Sequence, residues 1–430
     1  MKIHCFSVLM LLSASFFSCD DKSVDDLVNN PPIINEPDDQ PPTPEPPTPQ
    51  LPNLGPPVET ASPNTNYSPA FEGQTRVGSI TTTTPYEVEV ISTNLQSPWG
   101  ITYLPDGRLL VTEKQGRLKI FSTSGVLEKT ITGIPNVVNS GQGGLLDVAV
   151  DPNFSSNRMI YWTQAHSHAS GNLTAVAKGR LSDDETTIEN PVTIFQATPA
   201  YSGSLHFGSR IVFDDEQNLF VSTGERSSAE MRMNAQDKST GLGKVFRINR
   251  NGEAVASNPF VNDNSAMPQV YSYGHRNPQG LAIHPVTKEL WQTEMGARGG
   301  DEINRIQSGK NYGWPIITYG LEYSGAPIGS GITQQTGMEQ PVYYWDPSVS
   351  PSGIDFYTGN GFEEWKNNLF IGALSGQHIV RIYLHENKVY GEERLLENVS
   401  ERFRDILASH PDGSIYAITD SGKIYRIFSL

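Results

Sequence analysis

The sequence predicts an all-β protein, a six-bladed β-propeller preceded by a lipoprotein signal peptide and a Pro-rich disordered tether. Three observations lead to this prediction. One strand–turn–strand module recurs six times in the C-terminal part of the chain. No sustained helical periodicity competes with it. The N-terminal part is instead dense in proline, which cannot build a packed core.

Residues 1–18 are interpreted as a signal peptide. The stretch MKIHCFSVLMLLSASFFSC begins with basic Lys2, continues with an apolar run and ends in small residues before Cys19. The run is too short to span a membrane. Cys19 is followed by two aspartates, as in a bacterial lipoprotein, so we expect lipidation there and an outer-membrane location on the periplasmic or cell-surface face. Cys5 is the only other cysteine, and the mature chain can form no internal disulfide.

Residues 19–85 are predicted to be a tether between the lipidated cysteine and the folded domain. The segment contains PPIINEPDDQPPTPEPPTPQLPNLGPPVE. Proline lacks an amide donor and restricts φ, so such a segment is extended and semi-rigid. It would hold residues 86–430, the predicted propeller domain, away from a membrane surface through the lipid anchor.

The six modules share an alternating apolar run, a turn built on Pro, Asp, Asn or Gly, and a second apolar run. Four short strands need about 40 to 45 residues, so the wider spacing of several copies predicts long loops. Radial repetition of such sheets leaves few strand edges exposed. The modules begin at Trp99, Leu145, Ser209, Gly280, Ser352 and Arg404.

If each first run is the innermost strand of its blade, the residues before it meet at one mouth of the central channel. Arginine offers a planar fork of donors that suits carboxylates. Such a cluster in a chain of net charge −16 indicates a multiply anionic ligand, whereas the acidic balance argues against nucleic acid as a partner. The side chains predicted to converge are Gln142, His206, Arg276, Asn277, Trp345, Ser348, Arg402 and Arg404.

Several motifs in series resemble one family. The segments GQGGLLDVAVDPNF, HFGSRIVF, YSYGHRNPQG, GGDEIN, NYGWP and RFRDI are similar to those of the soluble quinoprotein sugar dehydrogenases, which include aldose sugar dehydrogenases and soluble glucose dehydrogenase. These enzymes use pyrroloquinoline quinone (PQQ) with calcium. The resemblance extends from about Leu95 to the C-terminus.

The resemblance implies a role for each matched position. His206 would be the general base that takes the proton from the anomeric hydroxyl, and Glu225 would orient it. The carbonyls of Gly296 and Ala297 would hold the cofactor calcium, which prefers oxygen ligands. Glu302 and Tyr312 would contribute to a second calcium site. Contacts to sugar or cofactor are implied for Gln142, Arg276, Asn277, Trp345, Ser348, Arg402 and Arg404.

The implied reaction is hydride transfer from C1 of an aldose to the quinone, which gives a lactone and passes electrons to an external acceptor. One departure is Ser375, which stands where the family has a lysine that pairs with the quinone carboxylates. It leaves open a catalytically silent propeller that binds glycan or protein at the surface. A metal-dependent lactonase is disfavoured, because the axial positions are rich in arginine and poor in carboxylates.

Overall fold

Six antiparallel sheets surround a central axis, and each begins with one of the six modules. The structure is a computed structural model and describes residues 51–430. The first strand of each module contacts the first strands of the neighbouring blades. The predicted six-bladed β-propeller is therefore confirmed, with the first strands innermost.

Blades 1 to 3 follow the chain from the innermost strand outwards. All residues of the second strands in blades 1 and 3 are buried, as are all but the last residue of the first strand in blade 2, because each sheet packs on both faces against a neighbour. Their strands are Pro98–Tyr103, Leu109–Glu113, Arg117–Phe121 and Leu127–Ile131; Leu145–Val150, Met159–His168, Gly171–Leu181 and Ile188–Gln196; and Ile211–Phe213, Leu219–Thr223, Lys244–Ile248 and Val270–Tyr273.

Blades 4 and 5 are built in the same way, and blade 6 joins the two ends of the domain. Its outermost strand, Tyr86–Ser92, comes from before blade 1 and pairs with Ile424–Ser429, so the ring is closed by backbone hydrogen bonds. The remaining strands are Pro278–Ile283, Leu290–Glu294, Asp301–Ile306 and Tyr343–Trp345; Pro351–Phe356, Leu369–Ala373, Ile379–His385 and Lys388–Leu395; and Phe403–Leu407, Ile415–Thr419 and Ile424–Ser429.

A repeated hydrogen bond ties adjacent blades together close to the channel mouth. In blades 1 to 4, a buried hydroxyl on the second strand donates to a backbone carbonyl at the start of the next innermost strand, at 2.5–3.2 Å. These hydrogen bonds fix the starts of the innermost strands and so the loops that precede them at the channel mouth. The pairs are Thr112 to Leu146, Thr163 to Ser209, Ser222 to Pro278 and Thr293 to Ser352.

Residues 51–85 differ from the expected extended tether. Strands Gly55–Pro57 and Gly78–Ser79 add to the outer edge of blade 5, and Val77 is buried in the core beside that blade. Polar and apolar side chains between the prolines provide this packing, so the predicted boundary at residue 86 is corrected here. The signal peptide, Cys19 and the tether up to residue 50 lie outside the described residues.

Helices are short in the described part of the chain. One α-helical turn spans Phe154–Asn157, and 3₁₀ turns span Arg232–Ala235, Glu363–Trp365 and Glu397–Val399. Between residues 51 and 430, none of the helices has the length and apolar character needed to cross a bilayer.

Candidate active site

A cavity of about 320 Å³ opens at the mouth of the channel where the innermost strands begin. Loops from all six blades contribute to its lining, because the strand starts converge there. Of the side chains predicted to converge, the structure brings together Gln142, His206, Arg276, Arg402 and Arg404.

His206 and Glu225 form a buried pair beside this cavity. Nδ1 of His206 lies 2.6 Å from Oε1 of Glu225, and the two side chains are 8% and 2% exposed. Since a carboxylate can only accept, this contact places the imidazole proton on Nδ1. Nε2 has no hydrogen bond to any described residue and is left to the cavity.

The backbone of His206 is held in the left-handed region, at φ +48°. This conformation is uncommon for residues other than glycine and is stable only when its surroundings enforce it. Here the backbone N–H of His206 donates to Oε1 of Gln142 at 2.7 Å, and the backbone N–H of Gln142 donates to the carbonyl of Ser204 at 2.8 Å. Gln142 therefore positions the imidazole from the neighbouring blade.

Burial, together with the nearby Arg276 guanidinium, lowers the pKa of His206 from 6.5 to about 4. Glu225 acts in the opposite direction, since its carboxylate favours the imidazolium form. At neutral pH the imidazole is consequently uncharged and able to accept a proton at Nε2.

Cationic side chains outnumber carboxylates around the cavity. Arg402 and Arg404 both donate to Asp420, each through Nε at 2.9 Å. Arg276 donates through Nη1 to the backbone carbonyls of Met295 and Gly296 and forms no ion pair with a described carboxylate. Among the charged side chains that line the cavity, Lys114 and the three arginines outnumber the single carboxylate of Asp301, so the mouth favours anionic ligands.

The loop after the second strand of blade 4 forms one wall of the cavity through Gly296 and Ala297. Asp301 folds this loop: its Oδ1 accepts the N–H of Gly296 at 2.8 Å, and its Oδ2 accepts the N–H groups of Val349 and Ser350 at 2.8 and 2.7 Å. Burial raises the pKa of Asp301 to about 6. The two predicted calcium-binding residues therefore lie on a loop that the hydrogen bonds of Asp301 hold in place.

Three predicted contact residues lie behind the cavity wall rather than in it. Trp345 is buried between blades 4 and 5, where its Nε1 donates to Glu392 at 3.2 Å. Its placement at the mouth is corrected, because strand alternation turns its side chain into the inter-blade core. Oδ1 of Asn277 accepts the N–H of Gly208 at 3.2 Å, and Oγ of Ser348 accepts the N–H of Gly299 at 3.0 Å.

Glu302 and Tyr312, predicted for a second calcium site, are both buried but have separate partners. Glu302 accepts from Nδ2 of Asn304 at 2.9 Å, and burial together with the neighbouring Glu294 raises its pKa well above the ordinary value. The hydroxyl of Tyr312 donates to the carbonyl of Arg305 at 2.6 Å. Among residues 51–430, no group of three or more His, Cys, Asp or Glu side chains lies close enough together to hold a metal ion. The second site stays a prediction.

Residues 95–426 match the sequence profile of the glucose/sorbosone dehydrogenase family. This match covers blades 1 to 5, most of blade 6 and every residue that lines the cavity.

The chain belongs to this family.

Known members are similar over most of the domain. The aldose sugar dehydrogenase YliI of Escherichia coli is 40% identical over 345 residues, which are 79% of this chain and 92% of the relative. Quinoprotein glucose dehydrogenase B of Acinetobacter calcoaceticus is 27% identical and covers 78% and 86% of the two chains. The PQQ-bound structure of an aldose sugar dehydrogenase from Streptomyces coelicolor superposes with a TM-score of 0.66 at 28% identity, over 81% of this chain and 99% of that one.

Sequence reasoning missed Lys114, which lines the cavity, and Asp420, which binds the lining residues Arg402 and Arg404. In an antiparallel pair the end of the second strand lies beside the start of the first, so residues that follow each second strand also reach the mouth. Lys114 and Asp420 directly follow the second strands of blades 1 and 6. Inspecting these positions as well as the strand starts would have found both.

Proposed function

We propose that this chain is a PQQ- and calcium-dependent oxidoreductase that oxidises the C1 hydroxyl of aldose sugars to lactones. The names of the relatives, which include aldose sugar dehydrogenase and quinoprotein glucose dehydrogenase, support this proposal. The observation that carries it is the buried His206, held by Glu225 at 2.6 Å, in a cavity lined by arginines.

The chemistry of the cavity fits PQQ with calcium. PQQ is a planar polycarboxylate, and the guanidiniums of Arg276, Arg402 and Arg404 offer planar forks of donors. Nε of Arg276 is buried without a hydrogen-bond partner among the described residues, which leaves it available to a ligand. The backbone carbonyls of Gly296 and Ala297 would be oxygen ligands of the kind that calcium prefers, once Nη1 of Arg276 releases the Gly296 carbonyl to the metal. Bound PQQ would supply the carbon that accepts hydride, and calcium would polarise the adjacent quinone carbonyl.

The protein's own part in the reaction is proton transfer. His206 takes the hydroxyl proton at Nε2, because Nδ1 is committed to Glu225. The Glu225 carboxylate then stabilises the imidazolium that forms. Gln142 holds the backbone of His206 in its left-handed conformation and so aims Nε2 into the cavity.

Lys114 gives this chain an ammonium in the lining of the cavity, whereas the sequence has Ser375 at the position where the family resemblance leads one to expect a lysine. Its Nζ donates to the carbonyl of Gly141 at 2.5 Å, and its side chain lines the cavity. Burial and the neighbouring Arg404 lower the pKa of Lys114. We infer that Lys114 supplies the missing charge-assisted contact to a quinone carboxylate.

Reconstitution of the purified apoprotein with PQQ and calcium, followed by aldose-dependent reduction of an artificial dye, tests the proposal. We expect His206→Gln to lower kcat on the order of 10³-fold, as loss of a general base does, while calcium-dependent PQQ absorbance is retained after desalting. His410→Gln is a matched control. Its Nδ1 also lies near a carboxylate, 2.7 Å from Asp412, but His410 is remote from this cavity and should keep native kcat.

Two outcomes would contradict the proposal. Absence of both PQQ retention and dye reduction in the native chain would favour a silent surface-bound propeller. Undiminished kcat in His206→Gln, with PQQ bound, would show that another group removes the proton.

We also propose that the chain is exported and anchored to the outer membrane by a lipid on Cys19, with an unidentified external electron acceptor. The motif before Cys19 supports this proposal. Detergent-phase partitioning of the full chain should be lost in Cys19→Ser. Unchanged partitioning of that variant would overturn the anchor without affecting the activity.

A further inference from the structure

Residues 59–80, named here the clasp, form a compact segment outside the part of the chain that matches the family profile. Arg76 folds the clasp on itself, since its guanidinium donates to the backbone carbonyls of Glu59 and Ala61 at 3.0 and 2.7 Å. The same guanidinium donates to the carbonyl of Asp346 at 2.7 Å. The clasp therefore docks on the segment that follows the last strand of blade 4.

The carboxylate of Asp346 is the centre of this docking. Asp346 is 3% exposed, and four donors of the clasp satisfy it at 2.8–3.0 Å. The backbone N–H and Nδ2 of Asn64 donate to Oδ1, and the backbone N–H and Oγ1 of Thr65 donate to Oδ2. A buried carboxylate without such donors would be strongly unfavourable, so Asp346 depends on the clasp for its position.

Asp346 in turn packs against the loop that carries Gly296 and Ala297. Gly299 has φ +79°, and a β-carbon there would lie 2.6 Å from Oδ1 of Asp346. The N–H of Gly300 donates to the carbonyl of Trp345 at 2.9 Å. The carboxylate thus covers the far side of the turn whose near side lines the cavity.

The clasp also contacts this loop directly. Nε of Arg298 donates to Oδ1 of Asn64 at 3.1 Å, so one amide side chain joins the loop and Asp346. Ser348, two residues after Asp346, holds the N–H of Gly299 at 3.0 Å and lies 3.5 Å from the carbonyl of Ala297. A continuous series of contacts therefore connects the clasp with the carbonyl of Ala297, a predicted calcium ligand.

We propose that the clasp is a positioning element for residues 296–300, in which Asn64 and Thr65 hold Asp346 so that the loop with the carbonyls of Gly296 and Ala297 is in place before calcium binds. This inference rests on the proposed function, because it concerns the calcium of the same site. The physical gain is preorganisation: a loop already held in place loses less conformational freedom when the metal binds.

Thr65→Val tests the proposal, because it removes one donor to Asp346 at nearly constant volume. Thr83→Val is the matched control, since Thr83 also donates through its N–H and Oγ1 to a single carboxylate, that of Glu364, both at 2.9 Å. Glu364 lies on blade 5 and away from the cavity. Thr65→Ser keeps the hydroxyl and should restore native behaviour.

We expect about threefold weaker calcium-dependent PQQ binding in Thr65→Val and about tenfold in Asn64→Ala/Thr65→Val, since lost hydrogen bonds to a carboxylate cost up to about a decade. Hydrogen exchange of a peptide covering residues 296–300, measured without PQQ or calcium, should accelerate in both variants. Thr83→Val and Thr65→Ser should match the native chain in both measurements, and excess calcium should rescue PQQ binding in Thr65→Val.

The double variant could instead show native hydrogen exchange at residues 296–300 and native PQQ affinity. That result would overturn the proposed role of the clasp and leave the proposed function intact. A native chain that binds no PQQ would overturn both. Equal losses in Thr65→Val and Thr83→Val would also overturn the clasp, since they would reflect general destabilisation.

Discussion

The two mouths of the channel are built from the same six innermost strands and differ in what their polar groups do. The ends of these strands surround a cavity of about 490 Å³, larger than the cavity of about 320 Å³ at their starts. Carboxylates dominate the polar lining of the larger cavity, with Asp147, Asp355 and Asp405 on three different blades. Guanidiniums dominate the smaller one.

The carboxylates at the larger cavity are used in assembly. Each accepts a backbone N–H from the innermost strand of the next blade or the residue just beyond it: Asp147 from Ile211, Asp355 from Ala408 and Asp405 from Ile101, at 2.8–2.9 Å. At the smaller cavity, Nε2 of His206 and Nε of Arg276 have no such partner among the described residues. Cavity size is therefore a poor guide to function here, and unsatisfied polar groups are a better one.

Arg210 separates the two mouths. Its Nη1 lies 3.2 Å from Asp147 and 2.8 Å from Asp405, and its guanidinium stacks on Trp99 with 4.1 Å to the ring centroid. Trp99 lines the smaller cavity and Arg210 the larger one. Arg210 thus compensates part of the charge of the two aspartates, and burial raises the pKa of Asp405 to about 7, which reduces the negative charge that faces an anion at the other mouth.

The largest difference between the mouths should be seen in PQQ affinity. Arg404→Gln should weaken calcium-dependent PQQ binding ten- to hundredfold, the range expected for a lost charge-assisted contact. Asp355→Asn, at the opposite mouth, should lower the free energy of unfolding by about 1–3 kcal/mol because a carboxylate that accepts backbone N–H groups is lost. Fluorescence titration and chemical denaturation measure the two effects. Weaker PQQ binding in Asp355→Asn than in Arg404→Gln would remove the contrast.

An intermediate effect is expected at Lys114, the lysine that lines the cavity. Lys114→Gln should weaken PQQ binding about tenfold, and Ser375→Lys in that background should restore it, because either lysine supplies one ammonium. PQQ titration of the four combinations checks this. Additive, independent effects of the two changes would show that the lysines do not substitute for each other. Lys288→Gln, whose ammonium lies on an exposed surface near Asp215, is the control.

The smallest effect is a shift of the pH profile. The base must be uncharged, so kcat/KM falls as pH drops through the pKa of His206, and that acid limb should lie below pH 6.5. Glu225→Gln should move the limb to lower pH, since the carboxylate raises this pKa. Asp412→Asn, which changes the partner of His410, should leave the limb in place. A shift to higher pH in Glu225→Gln would contradict the assigned pairing.

Most of the fold was predictable because the repeat is visible in local pattern. Each module contains two alternating runs and a turn, and these depend on neighbouring residues only. The family was also recognised correctly from motifs in series, such as YSYGHRNPQG and NYGWP. Residues that precede innermost strands, such as His206 and Arg276, were placed at the mouth by repeat position alone.

Other parts could not be predicted from local pattern. Trp345 ends a strand that faces the space between two blades, and its side-chain direction depends on register. Asp420 partners Arg402 and Arg404 across a strand pair. Residues 51–85 were predicted to be a tether because of their high proline content. The few side chains that dock on blades 4 and 5 have no recognisable local pattern.

By itself, then, the sequence determined that six similar sheets form and which strand of each lies innermost, because alternation and turn chemistry are local properties. Only the tertiary structure decided which polar groups form hydrogen bonds between blades and which remain available to a ligand. That division depends on contacts between residues far apart in the chain, such as Asp346 with Thr65 and Asp405 with Ile101.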